Sequence, residues 1–434
     1  MRKTVAFTTL GCKLNFAETS TIARMMSERG YEQVKFTEKA DIYIINTCSV
    51  TEIADKKSNQ MIRKAIHLSP EALIVAIGCF AQLKPHEIIE IEGVDIVLGT
   101  KDKFKLIEHI ENFDLRHDAK ITSCNIDDVR EFSPAFSSGQ RTRSFLKIQD
   151  GCNYCCNYCT IPLARGSSRS ASISSIIEQV REITSLGIKE IVLTGVNIGT
   201  FHTESHQNFF NLIEELERID KVVRFRISSI EPNLLSDEII ELVAKSNKFL
   251  PHFHIPLQSG NNRILNLMGR RYKKEFFENR VKKIQLHIPN AFIGIDLITG
   301  FPTETNDDFL ETYEFLEQLR VSFLHIFSYS DRQNTQSVNL LPKVSSQDKN
   351  KRSMLLHQLC EKLHLDFYHK FENTSEEVLF EHTISDGKMF GFTRNYIKVS
   401  AEADEHFINQ IVAVKLLSTI KNGLMACEID PKSE

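Results

Sequence analysis

A repeated alternation of short strand-like runs and helical segments dominates the middle of the chain. Between residues 144 and 329, five helical patterns separate six strand candidates, which lie at 144–149, 190–195, 224–230, 252–257, 292–299 and 323–329. Consecutive units of this kind form parallel strands with helices packed outside them. The pattern therefore predicts a partial (α/β)6 barrel whose chemistry lies on the loops that follow the strands.

The first hundred residues carry a second series of the same kind. Strand candidates at 4–10, 41–46, 73–77 and 94–98 alternate with helical segments, which predicts a Rossmann-like α/β domain with a parallel sheet. Cys12, Cys48 and Cys79 each follow one of the first three strands. A lone Cys is often only a small buried hydrophobic residue. Three at equivalent strand ends predict thiols at one edge of the sheet, within reach of one metal centre.

The end of the chain has a different pattern. Period-2 runs at 378–382, 396–399 and 411–416 predict a small antiparallel β-barrel of OB-like size. The polar segment 115–139 is interpreted as a linker. The predicted organisation is an N-terminal domain over residues 1–114, this linker, the barrel over 140–370 and a C-terminal domain over 371–434.

Composition excludes several classes of protein. The chain of 434 residues has a net charge of −4, and it contains no apolar run of the roughly 18 residues that a membrane helix needs. Its ten cysteines are too few for a disulfide scaffold at this length. We therefore expect a cytoplasmic protein whose cysteines serve metal or redox chemistry.

Four cysteines are clustered directly after the first barrel strand: Cys152, Cys155, Cys156 and Cys159. Two CxxC pairs would make a zinc site, but structural zinc pairs are normally separated by about a dozen residues or more. The other interpretation is CxxxCxxC, in which Cys152, Cys156 and Cys159 are ligands and Cys155 is a bystander. Three thiolates can hold three irons of a [4Fe–4S] cluster, and the fourth iron then stays open, whereas most clusters use four Cys.

This spacing after the first strand of a β-α barrel resembles the signature of radical S-adenosylmethionine (SAM) enzymes. The resemblance implies that SAM binds the open iron and is cleaved reductively to a 5′-deoxyadenosyl radical. With the three N-terminal cysteines and the sequence NYCTIPLARG at 157–166, essentially the whole chain resembles the radical SAM methylthiotransferases. That family implies a second, auxiliary [4Fe–4S] cluster on Cys12, Cys48 and Cys79, and a C-terminal TRAM domain.

Three further segments resemble the MtaB-type branch of this family. They are TLGCKLNFAET at 9–19, PLQSG at 256–260 and MGRRY at 268–272. The resemblance implies transfer of a methylthio group to C2 of N6-threonylcarbamoyladenosine at position 37 of tRNA, with two SAM molecules and two [4Fe–4S] clusters. tRNA would be the macromolecular partner, and an electron donor of flavodoxin or ferredoxin type and an unidentified sulfur donor would also be needed.

Polar residues at the ends of the barrel strands are predicted to line the cofactor site. The candidates are Arg165, Thr194, Gly195, Ser228, Glu231 and Gln258. Each has an ordinary alternative role, as a turn residue, a helix cap or a solvated side chain. His254 alternates with apolar neighbours and is interpreted as structural.

Basic charge is concentrated in residues 262–283, whereas residues 371–434 hold six basic and eleven acidic residues. The basic segment predicts contacts with RNA phosphates, although a solvated helix face explains it equally well. Candidate RNA contacts are Arg270, Arg271, Lys273, Lys274, Arg394 and Lys398. The aromatic residues near the last two fit either a stacking surface for RNA or a barrel core.

Two other functions fit the same residues. One is a methylthiotransferase with another target, either isopentenyladenosine in tRNA or a ribosomal-protein aspartate. The other is an RNA-binding protein whose metal centres are structural or redox-sensing. Iron and sulfide in amounts for two cubane clusters would favour an enzyme, and stoichiometric zinc would favour the RNA-binding protein.

Overall fold

The structure, a computed structural model, describes residues 3–113, 120–139, 141–220, 224–420 and 423–430. Parallel α/β units and a closed C-terminal barrel follow one another in the predicted order, so the predicted fold class is confirmed. Residues 114–119 and 140, at the ends of the predicted linker, lie outside the described residues. In the part of the chain that is described, no helix is both long and apolar enough to cross a bilayer.

The N-terminal unit is a six-stranded sheet in which all neighbouring strands are parallel. Its elements are β1 (Thr4–Thr9), α1 (Lys13–Glu28), β2 (Glu32–Val34), β3 (Ile42–Thr47), α2 (Glu52–Leu68), β4 (Leu73–Gly78), α3 (Cys79–Leu83), α4 (Pro85–Ile89), β5 (Ile96–Leu98), α5 (Leu106–Glu111) and β6 (Lys120–Thr122). The strand order is β2-β1-β3-β4-β5-β6. Every residue of β3 and β4 is buried, because apolar side chains pack on both faces of these central strands.

The loop-like interpretation of residues 115–139 is wrong at two places. β6 extends the N-terminal sheet, and β7 (Ala135–Phe136) pairs with the first barrel strand. Strands of two or three residues are too short to give a period-2 pattern, so the sequence contains no signal for them.

The central unit contains the predicted barrel strands. After β7, its elements are β8 (Arg143–Lys147), β9 (Gln149–Asp150), α6 (Ile161–Arg165), β10 (Arg169–Ser170), α7 (Ile173–Ser185), β11 (Glu190–Thr194), α8 (Phe209–Glu217), β12 (Arg224–Ile227), α9 (Asp237–Lys245), β13 (His252–Gln258), α10 (Asn262–Leu267), α11 (Lys274–His287), β14 (Phe292–Thr299), α12 (Asn306–Leu319), β15 (Phe323–Ser328) and α13 (Ser346–His369). β8-β11-β12 and β13-β14-β15 form two parallel sheets. Single bridges at Phe225–Phe249 and Ser229–His254 join the two sheets into one open barrel.

Side chains alternate between the two faces of the barrel strands. Phe253, Ile255 and Leu257 of β13 belong to the large apolar core shared with the outer helices. His252 and His254 therefore face the barrel interior, which we call the lumen. The same alternation places Arg226 of β12, Asp296 of β14 and His325 of β15 toward the lumen.

The first helix of the N-terminal unit covers the open side of the barrel. α1 packs on β7 and β8, and its Ala17 shares a small apolar cluster with Phe145 and Val192. Because β8 and β15 do not pair, this packing closes the lumen where the strands leave a gap.

The C-terminal unit is a closed barrel of five strands. They are β16 (Ser375–Ser385), β17 (Lys388–Thr393), β18 (Lys398–Glu402), β19 (Ile411–Ile420) and β20 (Leu424–Ile429), in the order β16-β17-β18-β20-β19. β18 and β20 are parallel, and the other neighbours are antiparallel. The predicted antiparallel barrel therefore needs one correction, because five strands cannot alternate in direction around a closed ring.

Candidate active site

Three cysteines lie at the carboxyl edge of three adjacent strands of the N-terminal sheet. Cys12 is the N-cap residue of α1, Cys48 directly follows β3, and Cys79 is the first residue of α3 after β4. Gly11, with φ of +95°, brings the first loop so close that a Cβ there would lie 2.8 Å from the Cys48 Sγ. The sequence-predicted triad is therefore brought together at one edge.

Among the residues that the structure describes, no cationic side chain is bonded to these thiols. Burial, with the neighbouring Cys79 thiol, raises the pKa of Cys48 to about 11. Burial also raises the pKa of Cys79. Metal binding requires thiolates, so positive charge supplied by an iron–sulfur cluster suits this donor set.

The second cysteine loop follows β9 and leads into α6. The backbone N–H of Tyr154 donates to the Cys152 Sγ at 3.4 Å, and that of Ile161 donates to the Cys159 Sγ at 3.5 Å. Burial raises the pKa of Cys159 to about 12. Cys155 is exposed, whereas the other three cysteines of the loop are half-buried.

The spacing of the thiols favours clusters over a zinc ion. Four thiolates on one zinc lie about 3.8 Å apart, because each Zn–S bond is about 2.3 Å. Among the described residues, the metal-type ligand atoms that gather within 4.8 Å of one another in threes are those of His254, Asp296 and His325, and no cysteines do so. Neither triad is therefore gathered as closely as the ligands of one zinc ion, whereas thiolates that bind different irons of one cubane lie further apart.

Arg270 lies inside the site and not on the surface that we predicted for RNA. Its guanidinium forms an ion pair with Glu231 and donates to the Cys156 Sγ at 3.4 Å, and its side chain is 3% exposed. Burial raises the pKa of Glu231, and the ion pair with Arg270 offsets part of that rise. The prediction that Arg270 contacts RNA is corrected: its charge is used beside the cluster loop.

Unpartnered polar atoms mark the ends of three barrel strands. The side-chain amide of Asn197, the Ser228 hydroxyl and the Thr299 hydroxyl are buried and have no hydrogen-bond partner among the described residues. Gln258, a further predicted site residue, has a φ of +70° at a bulge of β13. Strained backbone of this kind clusters at binding sites. These groups surround the cysteine loop and suit a polar ligand such as SAM.

Thr194 is the last residue of β11, and Gly195 follows it at the same end of the barrel. Thr194 is buried at the end of β11. A Cβ at Gly195 would lie 2.8 Å from the Gln149 Oε1, and that oxygen accepts a hydrogen bond from the Asn197 backbone N–H at 2.9 Å. The close approach of the Gln149 side chain explains why residue 195 is a glycine. The turn that follows places the Asn197 side chain at the end of β11.

Comparisons with known proteins agree with this geometry. Residues 4–99 match the Uncharacterized protein family UPF0004, and residues 146–316 match the Radical SAM superfamily. The chain is 41% identical over 424 residues to the threonylcarbamoyladenosine tRNA methylthiotransferase MtaB of Bacillus subtilis (strain 168), which covers 95% of this chain and 94% of the relative. It is 38% identical over 401 residues to the MtaB of Aquifex aeolicus (strain VF5), over 92% and 96% of the two chains.

This chain belongs to the radical SAM methylthiotransferases. Another relative is the tRNA-2-methylthio-N(6)-dimethylallyladenosine synthase of Alkaliphilus oremlandii (strain OhILAs), with 32% identity over 427 residues that cover 96% and 90% of the two chains. The fold also resembles the cobalamin-bound and [4Fe–4S]-bound radical SAM methyltransferase TsrM of Kitasatospora setae, with a TM-score of 0.56, 15% identity and coverage of 78% and 77%. The predicted enzyme class and its cofactors, SAM and [4Fe–4S], are confirmed by this membership.

Arg165 has a different role in this methylthiotransferase from the cofactor contact that we predicted. Its guanidinium is buried and donates to Glu18 at 3.1 Å, to Asp150 at 2.9 Å and to Asn15 at 2.6 Å. All of its bonding capacity in the described structure is directed at the boundary between the N-terminal unit and the barrel. The prediction of a SAM contact is therefore corrected.

The same boundary brings the two cysteine sites of the methylthiotransferase close together. α3, which begins at Cys79, packs on α6, which begins two residues after Cys159. Arg332, after β15, donates to the Ser49 carbonyl at 2.8 Å and to Asp55 at 3.0 Å, and so ties the barrel to the loop of Cys48. We missed Arg332 and the bonds of Arg165 to Glu18 and Asn15, because no local pattern joins residues that are 100 or more positions apart.

The remaining candidate RNA contacts differ in their surroundings. Lys274 pairs with Glu311, and Arg394 lies 4.0 Å from Glu377. Arg271, Lys273 and Lys398 are exposed, and the Arg271 guanidinium lies 3.9 Å from the ring centre of Tyr154, beside the cysteine loop. Most of the basic segment is therefore paired with acidic residues.

The aromatic residues of the C-terminal unit that we considered for RNA stacking lie mostly against the barrel. Tyr396 stacks on Phe392 at 4.7 Å and contacts His252 at 4.8 Å between ring centres, and the Arg226 guanidinium lies over it. Tyr396 therefore covers the end of the lumen opposite the cysteine loop.

Proposed function

We propose that this methylthiotransferase transfers a methylthio group to C2 of N6-threonylcarbamoyladenosine at position 37 of tRNA. One observation supports the proposal: the two triads of thiols lie on either side of a single boundary, where α3 packs on α6, and each triad would leave one iron of a cubane without a protein ligand. A reaction that uses SAM both as a methyl donor and as a radical source needs two such open sites.

The choice of adenosine rests on the closeness of the relatives. Two of the proteins named for threonylcarbamoyladenosine are 41% and 38% identical to this chain, whereas the synthase named for dimethylallyladenosine is 32% identical. The segments TLGCKLNFAET, PLQSG and MGRRY support the same branch. We assign the substrate accordingly.

The two cysteine triads would have different roles in this reaction. Cys152, Cys156 and Cys159 would hold the cluster that serves SAM cleavage, and Cys12, Cys48 and Cys79 the auxiliary cluster. When bound, these groups and SAM supply the radical and the methylsulfur chemistry. The protein positions them: Arg270 places positive charge on Cys156, and the orphaned groups at the strand ends can bind the polar parts of SAM.

The nucleic acid would approach the barrel face that carries the cysteine loop. Arg271 and Lys273 are exposed there and are proposed to bind tRNA phosphates. The C-terminal barrel is proposed as a TRAM domain that contributes Lys398 and Arg394. An electron donor of flavodoxin or ferredoxin type is required in addition.

Anaerobic reconstitution followed by nucleoside mass spectrometry tests this function. With SAM, a reductant and tRNA from a strain that lacks the enzyme, the wild type should convert N6-threonylcarbamoyladenosine to its 2-methylthio form. Cys12→Ala should abolish that product and still release 5′-deoxyadenosine, whereas Cys156→Ala should abolish both. Cys155→Ala is the matched control in the same loop and should behave as the wild type.

Two results would contradict the proposal. Stoichiometric zinc in place of about seven to eight irons per chain would remove the cofactors on which the chemistry depends. Methylthiolation of isopentenyladenosine alone would assign the chain to the other tRNA branch.

A further inference from the structure

The lumen contains a polar cluster whose side chains make no hydrogen bond to the cysteine loops or to the N-terminal unit, as far as these are described. His254, Asp296 and His325 lie on the adjacent strands β13, β14 and β15, and all three are half-buried. The His254 Nε2 lies 2.7 Å from the Asp296 Oδ1, and the rings of His254 and His325 stack at 4.7 Å. A polar cluster that faces an enclosed space has a ligand, or water, as its remaining partner.

A lysine enters this space from the open side of the barrel. Lys13 is the first residue of α1, the helix that closes the gap between β8 and β15. Burial lowers the pKa of Lys13. Tyr396 and Asp296 offset part of that shift, and Arg143 and Arg226 add to it. The Lys13 ammonium nevertheless makes no hydrogen bond or ion pair with any residue that the structure describes.

The two cations whose charges act on Lys13 are each paired with a carboxylate. Arg226 pairs with Glu190 at 2.8 Å, and Arg143 pairs with Glu381 at 2.8 Å. Lys13 is thus the cation of this group that is left for a ligand. The His254 ring contacts the Asp296 Oδ1, and the Oδ2 of that carboxylate accepts no hydrogen bond from any residue that the structure describes.

The charges also decide which kind of ligand fits. The ligand atoms of His254, Asp296 and His325 lie within 4.8 Å of one another, a spacing that a metal ion could bridge. The unpaired ammonium of Lys13 opposes a cation there. A ligand that combines a carboxylate with hydroxyl or N–H donors satisfies Lys13 and Asp296 together.

The depth of the cluster in the lumen also suits a substituent on a base that is held at the cysteine sites. Asp296 is three residues before Thr299, at the end of β14, and so about 10 Å below the strand ends at the rise of a β-strand. Lys13 directly follows Cys12. A base held between the two cysteine sites would therefore direct a substituent toward this cluster.

We infer that Lys13, Asp296 and His325 form a subsite for the threonylcarbamoyl group on N6 of the substrate adenosine. Lys13 pairs with the carboxylate of this group, Asp296 accepts a hydrogen bond from its hydroxyl, and His325 contributes a ring N–H. This inference rests on the proposed function and explains its specificity. An isopentenyl group has no polar atoms, so its binding would leave Lys13 and Asp296 desolvated and unpaired.

Direct binding measurements test the subsite without depending on turnover. Three anticodon stem-loops are compared on the reconstituted full-length enzyme, and they differ only at residue 37: N6-threonylcarbamoyladenosine, its N6-glycylcarbamoyl analogue without the hydroxyl, and unmodified adenosine. The wild type should bind the first at least about tenfold more tightly than the last, the usual effect of a hydrogen bond to a charged group.

The variants separate the two contacts. Lys13→Met should reduce the preference for threonylcarbamoyladenosine over adenosine to within about twofold, and Lys13→Arg should keep it. Asp296→Leu leaves no acceptor at this position and should remove the discrimination between the threonyl and glycyl groups. Lys64→Met removes an exposed lysine of α2 and is the control, with wild-type preference expected.

The iron content of each variant determines how its binding result is interpreted. Lys13→Met with full iron and an unchanged preference would overturn the subsite. If Lys13→Met loses iron because it adjoins Cys12, the Asp296→Leu variant decides, and retained discrimination against the glycyl analogue would overturn the inference. A wild type that forms no 2-methylthio product on threonylcarbamoyladenosine would instead refute the proposed function, and the subsite with it.

Discussion

Gly151 sets the backbone path from the first barrel strand into the cysteine loop. Its φ is +69°, and a Cβ at this position would lie 2.1 Å from the Ser167 carbonyl oxygen and 2.6 Å from that of Gly166. The Cys152 backbone N–H donates to the Gly166 carbonyl at 2.9 Å. The start of the cysteine loop therefore contacts the backbone that follows α6, and only a residue without a side chain fits at position 151.

Gly151→Ala should displace Cys152 and remove the cluster of that loop, because the contacting atoms are backbone and cannot rotate away. We expect iron per chain to fall by about half and 5′-deoxyadenosine formation to be lost. Gly187→Ala is the control, since Gly187 has a φ of +80° with nothing within 4 Å of an added Cβ. That variant should cost about 1 kcal/mol and keep its iron. Full iron in Gly151→Ala would contradict the argument.

At the scale of elements, α13 joins the barrel to the C-terminal unit through an aromatic contact. His364 lies on this helix, with its ring centre 5.2 Å from that of Phe323 and 4.4 Å from that of Tyr368. Burial lowers the pKa of His364 to about 4. The neutral ring is packed between the two units, and its protonation would place a charge among aromatic side chains.

This contact predicts a loss of stability in mild acid. The folded-state pKa of about 4 lies below the unfolded value of 6.5, so between these values the unfolded chain binds the proton and the folded chain does not. Stability therefore falls as pH falls from about 6.5 toward 4, by about 1–2 kcal/mol for this group after allowance for its partial exposure. Urea unfolding at pH 7 and pH 4.5 should show a smaller difference in His364→Phe than in the wild type. His357→Gln, on the exposed side of α13, should match the wild type.

The elements differ in how well the sequence predicts them. Long apolar runs such as β3, β4 and β14 are visible because burial on both faces demands them. The two cysteine triads can be predicted because ligand spacing is local, within one loop or at equivalent strand ends, and their role as cluster ligands stays a prediction. Arg270 and Arg165 were assigned wrongly because a charged side chain looks the same in sequence whether water or a buried carboxylate surrounds it.

At the scale of the molecule, a buried ionic network joins the N-terminal unit to the barrel. Glu18 of α1 accepts from Lys103 at 2.7 Å, from Lys147 at 2.9 Å and from Arg165 at 3.1 Å, and its side chain is 0% exposed. These partners hold the pKa of Glu18 well below its usual range although burial alone would raise it. Burial lowers the pKa of Lys103 to about 8, which shows how strongly these cations depend on their anions. The two cysteine sites stay in register only while this boundary is intact.

Glu18→Gln should therefore destabilise the whole molecule. The substitution keeps the shape of the side chain but leaves Lys103, Lys147 and Arg165 with Asp150 as their remaining buried anion. Breaking a buried ion pair on one side costs about 3–5 kcal/mol, and we expect that loss in the free energy of unfolding measured by denaturant titration. Glu111→Gln is the matched control, because Glu111 and Arg29 form a long, exposed pair at 3.9 Å whose loss should cost less than about 1 kcal/mol. Equal stability of the two variants would mean that the network does not hold the units together.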